Sequence, residues 1–117
     1  MTRKVRDMAR LAAFMEARFM AEQSELRARL AVEARVKASL DGLDEARAKA
    51  MTDAADPASF SPALARATGA WLRWTDGRKA PLNGDLARAR VATAAARKGL
   101  SRSFGQMQAS QKLSEDK

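Results

Sequence analysis

The sequence contains no cysteine and no histidine. Without cysteine there is no disulfide and no thiol nucleophile, and without histidine there is no imidazole base, no His-based triad and none of the common zinc sites. The glycines form no phosphate-binding loop either, since the stretch TDGRKAPLNGD lacks the GxxxxGK[ST] spacing. We therefore expect no enzyme, no catalytic residues, no cofactor and no metal.

Large aromatic side chains are scarce, with four phenylalanines and two tryptophans among 117 residues. Alanine dominates the apolar fraction, and arginine, leucine, lysine and glutamate supply most of the rest. This composition is typical of long helices or coiled coil, because too few bulky side chains are present to fill a thick globular core. The length is that of about one domain.

The sequence also lacks long hydrophobic runs. No apolar stretch approaches the roughly 20 residues that cross a bilayer. Near the N-terminus, Arg10 and Glu16 interrupt the apolar residues, so no signal-peptide core is predicted. We expect a cytoplasmic protein with no membrane insertion.

Positive charge is abundant and uneven. The chain has 22 Lys and Arg against 14 Asp and Glu, a net charge of +8. Between residues 78 and 102 there are seven basic residues and a single acidic one, Asp85. A basic stripe of this kind attracts an acidic partner, which could be nucleic acid, anionic lipid or an acidic protein surface.

The first half of the chain carries one long helical stripe. Steps of three and four residues pass through 14 positions from Val5 to Met51, and 11 of these are apolar. The stripe predicts helix 1 over about residues 3–52. Asp56-Pro57 and Ser61-Pro62 then interrupt it, so a connector is predicted at about 53–61, with Ser61 as the N-cap of the next helix.

A second stripe follows at nearly equal length and predicts helix 2 over about residues 62–112, with a frayed tail at 113–117. It runs in the same steps from Leu64 through Arg78 to Met107 and keeps its phase through the stretch that holds Pro81. Because proline removes a backbone hydrogen bond and clashes with the carbonyl four residues earlier, we expect a kink or brief break near Gly77 to Gly84. The positions assigned to the seam include Trp71, Trp74, Leu82, Leu86, Leu100 and Phe104.

Two helices of equal length joined by a short turn fold back on each other, since each has one apolar stripe to bury. The predicted fold is an all-α, antiparallel two-helix coiled-coil hairpin that forms a single domain over residues 1–117. Folding about residues 56 and 57 sets position i opposite roughly 113 minus i. That register places Phe104 near Met8 and Leu11.

The C-terminal half carries phrases that resemble a known family. Two short motifs of this half are similar to those of short alphaproteobacterial members of the FliJ/YscO family. The residues that carry the similarity are Trp71, Trp74, Arg78, Leu82, Asn83, Leu86 and Ala87 in the first motif and Leu100, Phe104 and Gly105 in the second. These are small coiled-coil stalk proteins of flagellar export and type III secretion. The resemblance covers the architecture of much of the chain and the wording of about 35 residues.

The resemblance implies a function without catalysis. Members of this family insert into a hexameric export ATPase and contact export-gate proteins and substrate chaperones. By this likeness, the basic residues expected to bind the partner are Arg88, Arg90, Arg97, Lys98 and Arg102 on helix 2, with Arg3, Lys4 and Arg6 on helix 1. These eight residues are called the basic surface below.

Two other functions remain open from the sequence. The same basic residues could serve a nucleic-acid-binding or ribosome-associated protein, in which Trp71 and Trp74 would stack on bases. No helix-turn-helix and no basic region preceding a zipper is recognisable, which disfavours that interpretation. The third alternative is a homo-oligomeric coiled coil with a structural role, and the oligomeric state is not predicted.

Overall fold

The structure, a computed structural model, describes residues 2–115 as two long α-helices joined by one turn of 3-10 helix. Helix α1 spans Arg3–Ala54, the 3-10 helix spans Pro57–Ser59, and helix α2 spans Pro62–Glu115. No strand occurs within the described residues. The two helices pack antiparallel against each other, so the predicted all-α helical hairpin is confirmed.

The helix boundaries agree closely with the sequence prediction. Helix α1 begins where predicted and ends two residues later, and α2 begins at Pro62 as predicted. The frayed tail predicted from residue 113 is instead helical up to Glu115. Met1, Asp116 and Lys117 lie outside the described residues.

The connector is organised by two caps. Asp56 accepts a hydrogen bond from the Ala58 backbone N–H at 3.0 Å and starts the 3-10 helix. Ser61 Oγ accepts a hydrogen bond from the Leu64 N–H at 3.0 Å, and Pro62 occupies the first helical position. Serine at the N-cap satisfies an otherwise unpaired backbone N–H, and proline at the next position sacrifices no helical hydrogen bond. The predicted start signal of α2 is confirmed.

Helix α2 is continuous through Pro81, so the predicted break between Gly77 and Gly84 does not occur. Proline lacks an N–H, and the Gly77 carbonyl therefore receives no hydrogen bond from residue 81. The turns on either side continue because Leu82 and Leu86 are packed against α1 and hold the helix in place. A bend of the helix axis at this point stays a prediction.

The hairpin is built from two compact units, and each helix contributes to both. The first, called here the terminal unit, contains residues up to 31 and residues from 90 onward. The second, called here the turn unit, contains residues 32–89, including the connector.

Within the turn unit, ion pairs between the helices define the register. Arg47 pairs with Asp76, and Lys79 Nζ lies 2.7 Å from Asp44 Oδ1. The residue numbers in each pair add to 123. The predicted sum of 113 is therefore wrong by ten residues. The point of reversal therefore lies at Ser61 and Pro62, where α2 begins, rather than at Asp56 and Pro57.

Within the terminal unit, an aromatic contact gives the register. The rings of Phe19 and Phe104 lie with centroids 5.4 Å apart, and these numbers also add to 123. The neighbours predicted for Phe104, Met8 and Leu11, are displaced by the same ten residues. A chain reversal at Asp56 and Pro57 therefore could not predict Phe19 as the contact partner of Phe104.

In each helix, positions that are at least partly buried recur every three or four residues, and these positions are called the seam. The seam closely follows a seven-residue repeat. In α1 these positions agree with 12 of the 14 in the predicted stripe, and Ala12 and Ala50 replace Leu11 and Met51. In α2 they are Thr68, Leu72, Thr75, Lys79, Leu82, Leu86, Ala89, Thr93, Ala96, Leu100, Ser103, Met107, Ser110 and Ser114. The α2 positions alternate strictly by four and three, which is the spacing of coiled coils, and α1 departs from this alternation at Leu30.

This seam corrects several assignments in α2, and Leu72 takes the place of Trp71 in it. Trp74 is 56 % exposed, and the fully buried residue of that turn is its neighbour Thr75. Phe104 is 43 % exposed beside the buried Ser103, and Lys79 rather than Arg78 lies in the seam. The predicted stripe has about 3.6 residues per turn, as in a straight α-helix, whereas the seam of the packed helices has about 3.5 residues per turn. The predicted and observed seam positions therefore differ by one residue in several turns.

Small polar side chains fill much of the α2 seam. Thr75, Thr93, Ser103 and Ser110 are each at most 5 % exposed, and Leu40 is the most buried large apolar residue at 6 %. Thr75 Oγ1 donates to the Trp71 carbonyl at 2.9 Å, and Ser110 Oγ donates to Met107 at 2.9 Å. Hydroxyls that bond their own helix can be buried at little cost, whereas an indole at the same position would hold the helices apart.

Candidate partner-binding surface

All eight residues of the basic surface are exposed. Seven of them, Arg3, Lys4, Arg6, Arg90, Arg97, Lys98 and Arg102, belong to the terminal unit. The eighth, Arg88, lies at the edge of the turn unit, where it pairs with Asp85 one helical turn away. Their exposure leaves them accessible to a partner, and their role in binding one stays a prediction.

The fold concentrates the positive charge in one unit. The terminal unit carries 13 Lys and Arg against 6 Asp and Glu, a net charge of +7. The turn unit carries 9 against 8, a net charge of +1. Because the hairpin brings the first and last parts of the chain into the same unit, nearly the whole excess charge of the protein lies there.

Ion pairs between the two helices are found in the less charged turn unit. Within residues 2–115, the ion pairs that join the two helices are Arg47 with Asp76 and Lys79 with Asp44, and both lie in the turn unit. The ion pair described in the terminal unit, Arg29 with Glu25 at 2.7 Å, is made within α1. The basic side chains of the terminal unit are therefore more available to a partner.

The basic residues of α2 do not form one stripe. Arg90 and Arg97 are seven residues apart and share one side of the helix, the side that Phe104, a further seven residues on, uses to reach Phe19. Lys98 lies seven residues after Val91, which is 71 % exposed, and so points away from α1. The sequence suggested a single surface, but the packing of α2 separates it into a flank beside the seam and an outer face.

The six predicted packing residues fall into two groups. Leu82, Leu86 and Leu100 are half-buried in the seam as predicted, and Trp71 is half-buried beside it. Trp74 and Phe104 are more exposed, as described above.

The hairpin leaves considerable apolar surface uncovered. Large exposed apolar residues within the described range are Leu11, Phe14, Met20, Val32, Met51, Phe60, Leu64, Trp74, Val91, Phe104 and Leu113. Where such residues adjoin one another, exposed apolar surface is characteristic of protein interaction surfaces. A two-helix hairpin has no third layer that could cover it.

A groove in the terminal unit was missed from the sequence. Gln23, Leu26 and Arg27 of α1 and Leu100 of α2 line a depression of about 260 Å³ beside the seam, called here the arginine groove. Arg27 was not predicted as a binding residue because it lies far from the basic residues of α2 in sequence. The spacing Gln23, Leu26, Arg27 could have indicated an exposed edge of the stripe, but its partner on α2 depends on the register.

Two buried polar atoms in the terminal unit have no hydrogen-bond partner, Ser103 Oγ and Gln106 Oε1. Nearby, the carboxylate of Glu22 lies against Gly99, where an added Cβ would be 2.6 Å from Glu22 Oε2. Glycine at this position leaves room for the carboxylate beside the seam.

Glycine substitutions in α2 should separate helix propensity from packing. Gly105→Ala should raise the free energy of unfolding by about 1 kcal/mol, since alanine favours the helix and an added Cβ meets nothing within 4 Å. Gly99→Ala should gain less, because the new methyl group displaces the Glu22 carboxylate. Urea titrations followed by circular dichroism measure both changes, and an equal gain at the two sites would contradict the contact.

Comparison with known proteins finds no match among family models, curated protein sequences or solved structures. No helix within the described residues has the length and apolar content needed to cross a membrane.

Proposed function

We propose that the chain is a non-enzymatic coiled-coil interaction protein that serves as a stalk or adaptor of a flagellar or type III protein-export ATPase on the cytoplasmic side of the membrane. The observation that carries the proposal is the net charge of +7 on the terminal unit, where seven of the eight basic-surface residues are exposed. The motif resemblance around Trp71, Arg78 and Phe104 supplies the kind of partner.

The role follows from electrostatic complementarity. A positively charged helical unit seated in a ring of ATPase subunits would pair with acidic groups that line the pore, and it could transmit a conformational change from one subunit to the next. Opposite charges across an interface steer association and fix orientation, and their effect weakens with salt. Export-gate proteins and substrate chaperones are the further partners that this function implies.

Charge reversal tests the assignment. Changing Arg88, Arg90 and Arg97 together to glutamate should weaken binding to the export ATPase by about tenfold or more at low salt. Helicity should stay intact, because all three side chains are exposed. Binding is measured with the purified ATPase by surface plasmon resonance, and helicity by circular dichroism.

The turn unit offers a matched control for this triple variant. Arg35, Arg66 and Arg73 are equally exposed arginines in the less charged unit. Their reversal should change ATPase binding far less than reversal of Arg88, Arg90 and Arg97. Unchanged binding in the basic-surface variant, or equal loss in both variants, would sink the proposal.

The unpaired arginines of the terminal unit also favour one second candidate, a nucleic-acid-binding or ribosome-associated protein. Such a protein should bind generic DNA or RNA with an affinity that falls steeply as salt rises, because binding releases counterions. Purification from the native cell with nuclease treatment separates the two functions. A hexameric ATPase that remains bound after nuclease would support the first, and loss of all partners would favour the second.

A further inference from the structure

The arginine groove has an apolar floor and a polar edge. Leu26 of α1 and Leu100 of α2 are half-buried at its base, whereas Gln23 and Arg27 are exposed on its α1 side. Gln23 and Arg27 are four residues apart and so lie one above the other on the helix. The groove thus offers apolar area for a partner to cover and side chains that can hydrogen-bond at its rim.

The opposite edge of the groove is formed by α2. Phe104, four residues after Leu100, contacts Phe19, which lies four residues before Gln23. This aromatic pair therefore marks one end of the groove. Arg97 lies seven residues before Phe104, and the seven-residue repeat places both on the same side of α2. By this repeat Arg97, and Arg90 two turns before it, lie on the α2 flank beside the groove, outside the four residues that line it.

The arginines at these edges have no internal counter-charge. Within residues 2–115, Arg27, Arg90 and Arg97 make no ion pair, and all three are exposed. Basic residues that face the other helix in the turn unit, Arg47 and Lys79, are paired with aspartates. In the described part of the terminal unit no ion pair joins the two helices, although acidic residues such as Glu22 and Glu25 lie on α1.

We propose that the arginine groove binds an amphipathic helix of an acidic protein. The apolar side chains of that helix pack on Leu26, Leu100 and the exposed part of Phe104, and its aspartates and glutamates pair with Arg27 and Arg97. A third helix beside two packed helices extends the coiled coil, and it buries apolar area that two helices cannot cover. Arginine suits this edge because its planar guanidinium binds carboxylates in a bidentate manner.

Charge and chemistry select this occupant over the others. A second copy of the chain would bring two units of net charge +7 together, so self-association through this groove is disfavoured. Nucleic acid would meet the arginines but would leave Leu26 and Leu100 against a hydrated phosphate backbone. An acidic amphipathic helix satisfies both features. The proposal goes beyond the ATPase assignment, since it concerns the chemistry of a bound segment in whichever complex the hairpin acts.

Two synthetic peptides test the proposal with the full-length protein. Both have leucines at the a and d positions of three heptads, and the remaining exposed positions are glutamate in one and lysine in the other. Fluorescence anisotropy should show binding of the glutamate peptide and none of the lysine peptide. In the unmodified protein, NMR amide shifts should change chiefly for residues 19–27 and 90–104.

A charge-matched pair of variants locates the site. Arg27→Glu with Arg97→Glu should weaken binding of the glutamate peptide by about tenfold or more. Lys98→Glu with Arg102→Glu makes the same change in charge on α2 away from the groove and should weaken binding much less. Phe104→Ala tests the apolar contribution to peptide binding separately. The affinity of this variant for the glutamate peptide should fall, with little change in the salt dependence of binding.

Several results would overturn the proposal. They are failure of the glutamate peptide to bind, equal loss in the two charge-reversal pairs, and shift changes outside the groove. Tighter binding of a single-stranded oligonucleotide with the same dependence on Arg27 and Arg97 would reassign the groove to nucleic acid. Binding of the ATPase is measured on the same variants. A protein that binds the glutamate peptide but not the ATPase would contradict the proposed function alone. A protein that binds the ATPase but not the peptide would contradict the groove proposal alone.

Discussion

Replacing Leu40 with alanine should lower the free energy of unfolding by about 2 to 3 kcal/mol, towards the lower end of the range for buried leucines. Leu40 is the most buried large apolar side chain of the described residues, with 6 % of its surface exposed. On the α2 side the seam is built largely from alanine, serine and threonine, so few large side chains there can compensate. The two helices can partly close the resulting space, so a larger cost is not expected.

A second leucine provides the control for this change. Leu113 is 51 % exposed near the end of α2, and Leu113→Ala removes the same atoms from a largely solvated position. Its effect should stay within roughly 0.5 kcal/mol. Urea titrations followed by circular dichroism compare the two variants. If Leu40→Ala were as mild as Leu113→Ala, the packing described for the turn unit would be incorrect.

Replacing Pro81 with alanine should raise the free energy of unfolding by about 3 kcal/mol. Pro81 is exposed within the continuous helix α2, so its ring contributes little packing that alanine would lose. Alanine restores the N–H that can bond the Gly77 carbonyl, and it removes the clash between the proline ring and that carbonyl. The change should therefore stabilise the hairpin without altering its fold.

Pro62 supplies the matched control for proline itself. It occupies the first position of α2 directly after the Ser61 cap, where a missing N–H costs no helical hydrogen bond. Pro62→Ala should change stability by well under the effect at Pro81. Hydrogen exchange adds a local measurement, because amide protection around residues 77–85 should increase in Pro81→Ala. A neutral or destabilising result at Pro81 would mean that the proline serves a packing role the exposed position does not reveal.

Pro81 also bears on function. A helix that retains a proline about 3 kcal/mol less favourable than alanine gives up stability at one defined turn. Proteins near the threshold of stability keep such residues when selection does not remove them or when function uses them. Pro81→Ala therefore allows partner binding to be compared between hairpins that differ in stability but not in surface charge.

Local features were predicted well because they depend on neighbouring residues. Ser61 and Pro62 begin α2 through a cap and a backbone preference that operate within one turn. Leu82, Leu86 and Leu100 were placed in the seam because the apolar pattern and the packed repeat coincide there.

Features that depend on both helices were predicted poorly. Trp74 and Phe104 were assigned to the seam because they are large and apolar, but the buried positions of those turns belong to Thr75 and Ser103. Size and hydrophobicity do not decide burial where two helices approach closely, since small side chains allow the approach. The polarity of threonine and serine concealed their role from a search for apolar residues.

The sequence by itself determined the two helices, their limits, the caps of the connector and the excess of positive charge, because each arises from composition or from contacts within a few residues. Only the tertiary structure decided the register, which the ion pairs of the turn unit and the contact of Phe19 with Phe104 reveal. The register in turn brings Leu26 and Arg27 of α1 beside Leu100 of α2, and the hairpin gathers a net charge of +7 in one unit. Such pairings join residues about 70 positions apart in the chain, and no local pattern specifies which turn of one helix meets which turn of the other.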